Sequence, residues 1–97
     1  MKTYKYYQDP SHGWIAVKTE EVISLGLINQ ISGYSYISKS GKTIYLEEDR
    51  DRLLFSNAKK AVNQPYKLKD IYSNKQSSIR NLDHVSDCFT RRKETDT

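Results

Sequence analysis

The chain has 97 residues, a net charge of +4 and a hydrophobic content of only 36%. Such a chain makes one domain with a modest core, which excludes a large cofactor-binding enzyme. Its single cysteine, Cys88, excludes an internal disulfide and a cysteine-rich zinc site, and suits a reducing compartment.

The opening "MKTYKYYQDP" lacks the apolar stretch of a signal peptide. No run approaches the roughly 18 to 20 apolar residues that span a bilayer. The expectation is a soluble, intracellular protein. Lys2, Lys5 and Lys18 outweigh Asp9 near the start, the centre is balanced, and residues 66–97 are again basic. This balance permits attraction to nucleic acid or to an acidic protein and demands neither.

In chain order, "TYKYYQ" (Thr3 to Gln8) is aromatic-rich and predicts a strand, "DPSHG" a turn, and "WIAVK" (Trp14 to Lys18) a second strand. Trp14 is expected to anchor the core. Thr19 is placed as an N-cap, with Glu20 and Glu21 in the first turn of a short helix and Gly26 as its C′ residue. "LINQIS" then offers Leu27, Ile28 and Ile31 as apolar pegs.

A two-residue turn at Ser40–Gly41 would set Ile37 opposite Ile44 and Tyr36 opposite Tyr45. One face then carries Ile37, Ile44 and Leu46. The other carries Tyr34, Tyr36, Thr43 and Tyr45. A one-residue slip would exchange the faces. From Asp49, as N-cap, a helix is expected to about Val62, with Leu54, Phe55, Ala58, Ala61 and Val62 as its apolar stripe. "YKLKDIY" (Tyr66 to Tyr72) alternates like an edge strand. The predicted fold is α+β: a small, mostly antiparallel sheet in the order ββαββα plus a late strand, with one main helix packed on it. Residues 1–85 form the domain and 86–97 a flexible basic and polar tail.

Chemistry-bearing motifs are few. "SGKT" (Ser40 to Thr43) ends like a phosphate loop, but the position that needs the first glycine is Tyr36 and a strand follows. A hairpin turn accounts for it. Glu47, Glu48, Asp49 and Asp51 could hold a cation or supply an acid/base pair, and Glu47, Glu48 and Asp49 could act with His12 in a metal-dependent enzyme. They could instead form an acidic contact patch, or serve the helix start, the default reading. His84 and Cys88 share a helical spacing but lack further ligands. No nucleophile has an evident base and orienting partner. No catalytic residue, cofactor or metal is therefore expected.

Aromatics interleaved with basic residues are more informative. Tyr4, Lys5, Tyr6 and Tyr7 form one cluster; Tyr34, Tyr36 and Tyr45 with Lys39 and Lys42 form another. Tyrosine is a good strand former and core residue, an interface residue, and a stacking platform for bases. Arg91, Arg92 and Lys93 form a short basic run in the tail.

The succession "HGWIAV" (His12 to Val17), "LG" (Leu25 and Gly26), "ISGYSY" (Ile31 to Tyr36), "IYLEED" (Ile44 to Asp49) and "SSIRN" (Ser77 to Asn81) resembles small, uncharacterised phage and prophage proteins. The resemblance runs from about Tyr6 to Asn81, and no activity or catalytic residue comes with it. It implies a phage accessory protein in the cytoplasm of a bacterial host, of the kind that binds and blocks host or defence machinery. The first expectation is thus a non-enzymatic protein that binds and inhibits a host or defence protein. Its contact surface would draw on Tyr34, Tyr36, Tyr45, Lys39, Lys42, Glu47, Glu48, Asp51, Arg91, Arg92 and Lys93. The alternative is a single-stranded nucleic-acid or RNA-binding module using the sheet tyrosines and lysines.

Overall fold

A computed structural model describes residues 2–32, 34–73 and 78–85. The fold is α+β. The strands are β1 (Lys2–Gln8), β2 (Gly13–Lys18), β3 (Tyr36–Ile37), β4 (Thr43–Glu47), β5 (Tyr66–Tyr72) and β6 (Asp83–His84). The helices are α1 (Thr19–Ser24) and α2 (Asp51–Ala61), and a 3-10 turn covers Ser78–Asn81. One six-stranded sheet runs in the order β5-β1-β2-β4-β3-β6. Its pairings are antiparallel except for β1 with β5, which is parallel. β4 and β5 consequently point the same way with two strands between them, and α2 bridges them across the inner face.

Alternation along the strands builds the core. In β1 the even tyrosines, Tyr4 and Tyr6, are buried, whereas Tyr7 belongs to the other side. Ile15, Val17, Ile37, Ile44 and Leu46 join them beneath Phe55 of α2 and Val22 of α1. Tyr4 packs edge-on against Phe55 and Tyr66, with ring centroids 5.2 and 5.5 Å away. The β1–β2 turn is held by Asp9, whose Oδ1 accepts from the amides of Ser11 and His12 at 3.0 and 2.9 Å. Gly13 opens β2 because the Tyr6 ring lies over it: a Cβ there would stand 2.5 Å from the hydroxyl.

The hairpin register matches expectation, with Tyr36 beside Tyr45 and Ile37 beside Ile44. Its loop is longer than two residues. Ser38 donates its amide to the Thr43 carbonyl at 2.8 Å, leaving Lys39–Lys42 as the loop with Gly41 at φ 77°. Thr19 does not cap α1. Its Oγ1 donates to the Gly41 carbonyl at 2.7 Å, tying the start of α1 to that loop.

Both helices end alike. In α1, Gly26 (φ 74°) and Leu27 return their amides to Ile23 and Val22. In α2, Asn63 (φ 55°) and Gln64 return theirs to Lys60 and Lys59. These are Schellman ends, the left-handed position taken by glycine in one and asparagine in the other. The inward stripe of α2 is not the expected one. Asp51, Phe55 and Lys59 face inward with Leu54 and Ala58 partly buried, while Ala61 and Val62 are exposed.

Candidate functional site

The acidic cluster is structural. Glu47, at the end of β4, is 8% exposed. Its Oε2 accepts from the Asp49 amide at 3.0 Å and its Oε1 from the amides of Arg50 and Asp51 at 2.6 and 3.2 Å. The carboxylate satisfies the orphan donors of α2, the role expected of Asp49. Asp51 is 1% exposed and accepts from the amide and hydroxyl of Ser32 and from the Ser35 hydroxyl. Ser35 Oγ in turn accepts from the Glu47 amide at 3.0 Å. Glu48 is half-buried and accepts from the Tyr6 hydroxyl at 2.8 Å.

Glu47 and Asp51 therefore cannot supply an exposed contact patch, which corrects that expectation, and Glu48 is engaged by the core. Among the described residues no group of three or more His, Cys, Asp or Glu is arranged to hold a metal ion.

This web of serines and carboxylates fixes the segment before β3 against the start of α2 and shapes a cleft beside it. The cleft, of about 440 Å³, is lined by His12, Trp14, Ser32, Tyr34, Tyr36, Glu47, Asp49 and Arg50. Trp14 is 2% exposed and forms the floor. His12 tilts against it at 6.0 Å and Tyr36 meets it edge-on at 6.2 Å. Tyr36 also stacks at 4.6 Å on His84 of β6, whose buried Nδ1 has no hydrogen-bond partner among the described residues. Tyr34, 74% exposed, stands at the rim with the exposed side chains of His12, Asp49 and Arg50. An aromatic floor with one cation, one carboxylate and an imidazole at its mouth is chemistry for holding a mixed polar and apolar group.

The remaining expected contact residues separate. Tyr45 lies on the outer face against Tyr7, with ring centroids 6.0 Å apart. Burial, and then the neighbouring Tyr7, push its hydroxyl above the usual tyrosine range. Lys39 and Lys42 are exposed in the hairpin loop, at the opposite end of β4 from the cleft. Arg91, Arg92 and Lys93 lie outside the described residues, as do the rest of the proposed tail and Cys88.

Tyr4 and Tyr6, counted among interleaved aromatics, are core residues. Burial, and then the carboxylates of Glu21 and Glu48 respectively, raise their hydroxyl pKa values. Nothing in the sequence marks His12 or Arg50 as contact residues, and Trp14 reads there as a core residue alone. The signal that could have found the site is cross-strand. Alternation puts Glu47 on the same face as Tyr45 and its partner Tyr36, and the pairing of β2 with β4 sets Trp14 beside Glu47.

No protein-family model matches the chain, and no curated protein or solved structure is significantly similar to it. Among the described residues no helix is long and apolar enough to cross a membrane.

Proposed function

We propose that the protein is a small non-enzymatic phage accessory protein that binds and inhibits a host or defence protein in the bacterial cytoplasm. The observation that carries this reading is the convergence of Trp14, Tyr34, Tyr36, His12 and Arg50 on one cleft beside an exposed carboxylate, Asp49. Trp, Tyr and Arg are the residues in which interface energy concentrates, around a desolvated pocket with a polar rim. Three of the segments that carry the phage resemblance meet in this cleft, those containing His12 and Trp14, Tyr34 and Tyr36, and Glu47 and Asp49.

The test is retention of host proteins from nuclease-treated lysate by immobilised protein, compared with Tyr34→Ala and Arg50→Ala. A saturable protein partner is expected, with affinity lowered about 30-fold or more by a substitution at an energetic centre. A partner lost on nuclease treatment, or one held equally by both variants, overturns the reading.

A further inference from the structure

The half of the outer sheet face away from the cleft carries different chemistry. Lys5 stands beside Lys69, Thr3 beside Lys67 and Tyr7 beside Ile71 on the β1–β5 pair, and Lys18 stands beside Thr43 on the β2–β4 pair. Lys5, Lys18, Lys67 and Lys69 are all exposed. Tyr7 and Tyr45 lie among them as an edge-to-face pair, each half-buried and so partly open to solvent.

The carboxylates of these strands are absent from the exposed part of this face. Asp70 is turned to the helix side, where it accepts from Gln8 at 3.4 Å. Glu47, the one acidic residue at an outward position of the described strands, is buried with both oxygens on backbone amides. The face thus presents four cations and two phenol rings on adjacent strands about 4.8 Å apart; the described strands place no exposed carboxylate between them, and the exposed Glu20 of α1 borders the patch beside Lys18.

We propose that this half of the sheet binds single-stranded nucleic acid, Tyr7 and Tyr45 stacking on bases while Lys5, Lys18, Lys67 and Lys69 hold phosphates. Charge complementarity selects a polyanion. The rings select one whose bases are unstacked, because a duplex hides its base faces. An acidic protein would use the lysines but would not require the ring faces. The surface adjoins the cleft, because Tyr7 pairs with Trp14 and Tyr45 with Tyr36, but none of these six residues lines it.

The experiment is fluorescence anisotropy of the full chain with labelled short oligothymidylate and oligouridylate, and with a duplex of equal length, between about 50 and 200 mM salt. Expected are preference for the single strands and a log–log salt slope of about −2 to −3, from three or four phosphates at about −0.7 each. The Lys5→Gln, Lys69→Gln double variant should flatten that slope by about 1.4. Tyr45→Ala should weaken binding about 10-fold at the upper salt, whereas Tyr45→Phe keeps it.

Equal binding of duplex and single strand, a slope unchanged in the lysine variant, or a response to the lysines with none to Tyr45→Ala overturns the proposal, the last in favour of an acidic protein. Should Tyr45→Ala not fold, the slope of the lysine variant decides, because both positions are exposed. Tyr34→Ala and Arg50→Ala leave oligonucleotide binding intact, so failure here and failure of the cleft reading are distinguishable.

Discussion

Lys59 shows how a charge is kept inside this small protein. It is 3% exposed on the inward side of α2. Its ammonium donates to Glu21 and to the side-chain Oε1 of Gln64, both at 2.9 Å, and lies 5.5 Å from the Tyr4 ring centroid. Glu21 also accepts from the Tyr4 hydroxyl at 2.7 Å and from Lys2 at 3.0 Å. Burial works against the Glu21 carboxylate, but the bonds from Lys59, Tyr4 and Lys2 outweigh it and hold its pKa at about 2, below the ordinary 4.5. Burial likewise lowers Lys59, and the bonds to Glu21 and Tyr4 raise it above its usual value.

Because the folded value of Glu21 is the lower one, its contribution is complete above pH 4.5 and is lost as the pH falls through about 2. Glu21→Gln should therefore destabilise the protein by about 2–4 kcal/mol at neutral pH by stranding Lys59. That deficit should close as the medium is acidified through this window. Urea midpoints measured against pH for both proteins check it, and parallel profiles would contradict the assignment.

At the scale of elements, short segments depend on side chains for their positions. β3 has two residues, too few to hold its approach by strand pairing alone. Asp51 does so by joining Ser32 and Ser35 to the start of α2, and Val85 donates its amide to the Ser35 carbonyl at 3.1 Å. Asp51→Ala would leave the Ser32 amide and two serine hydroxyls without their acceptor. The expected cost is about 2–4 kcal/mol. The exposed Asp49→Ala should change stability by less than about 0.5 kcal/mol. Equilibrium denaturation of the two variants tests the contrast, and equal effects would mean that the capping and tethering roles are misassigned. The cleft should open with the loss of Asp51, because Ser32, Tyr34 and Tyr36 belong to the tethered segment.

For the molecule as a whole, the helix-covered core and the surfaces proposed for recognition lie on opposite sides of one sheet. Tyr4, Tyr6 and Tyr66 serve the helix-covered side, where the Tyr66 and Ser56 hydroxyls meet at 2.5 Å and Arg52 lies 4.9 Å from the Tyr6 ring centroid. Tyr7, Tyr36 and Tyr45 belong to the outer side. This separation predicts that Tyr34→Ala and Arg50→Ala keep unfolding free energies within about 0.5 kcal/mol of the parent while they abolish capture of a protein partner. Urea titration beside the binding assay measures both. A matching loss of stability would show that the cleft is a structural element rather than a contact surface.

Apart from the 3-10 turn and β6, the sequence by itself determined the order of elements, the C-terminal ends of both helices and, on the premise of a short turn, the hairpin register. Those signals are local: period-two alternation in β4, Gly26 after α1, and Asn63 before Pro65. Only the tertiary structure decided what each tyrosine and carboxylate does. A phenol ring suits either face of a sheet, and its side is known only once a helix covers one of them. The parallel pairing of β1 with β5 likewise depends on α2 carrying the chain across two intervening strands. The acidic residues around the start of α2 read as one group because all four fall within residues 47–51. Their fates differ because their acceptors meet different donors: Glu47 the amides beneath it, Glu48 the Tyr6 hydroxyl, Asp51 the distant serines. Glu21 and Lys59, 38 residues apart, give no local sign of their pairing. A buried charge is tolerable only beside its partner, and that partner is supplied by the fold.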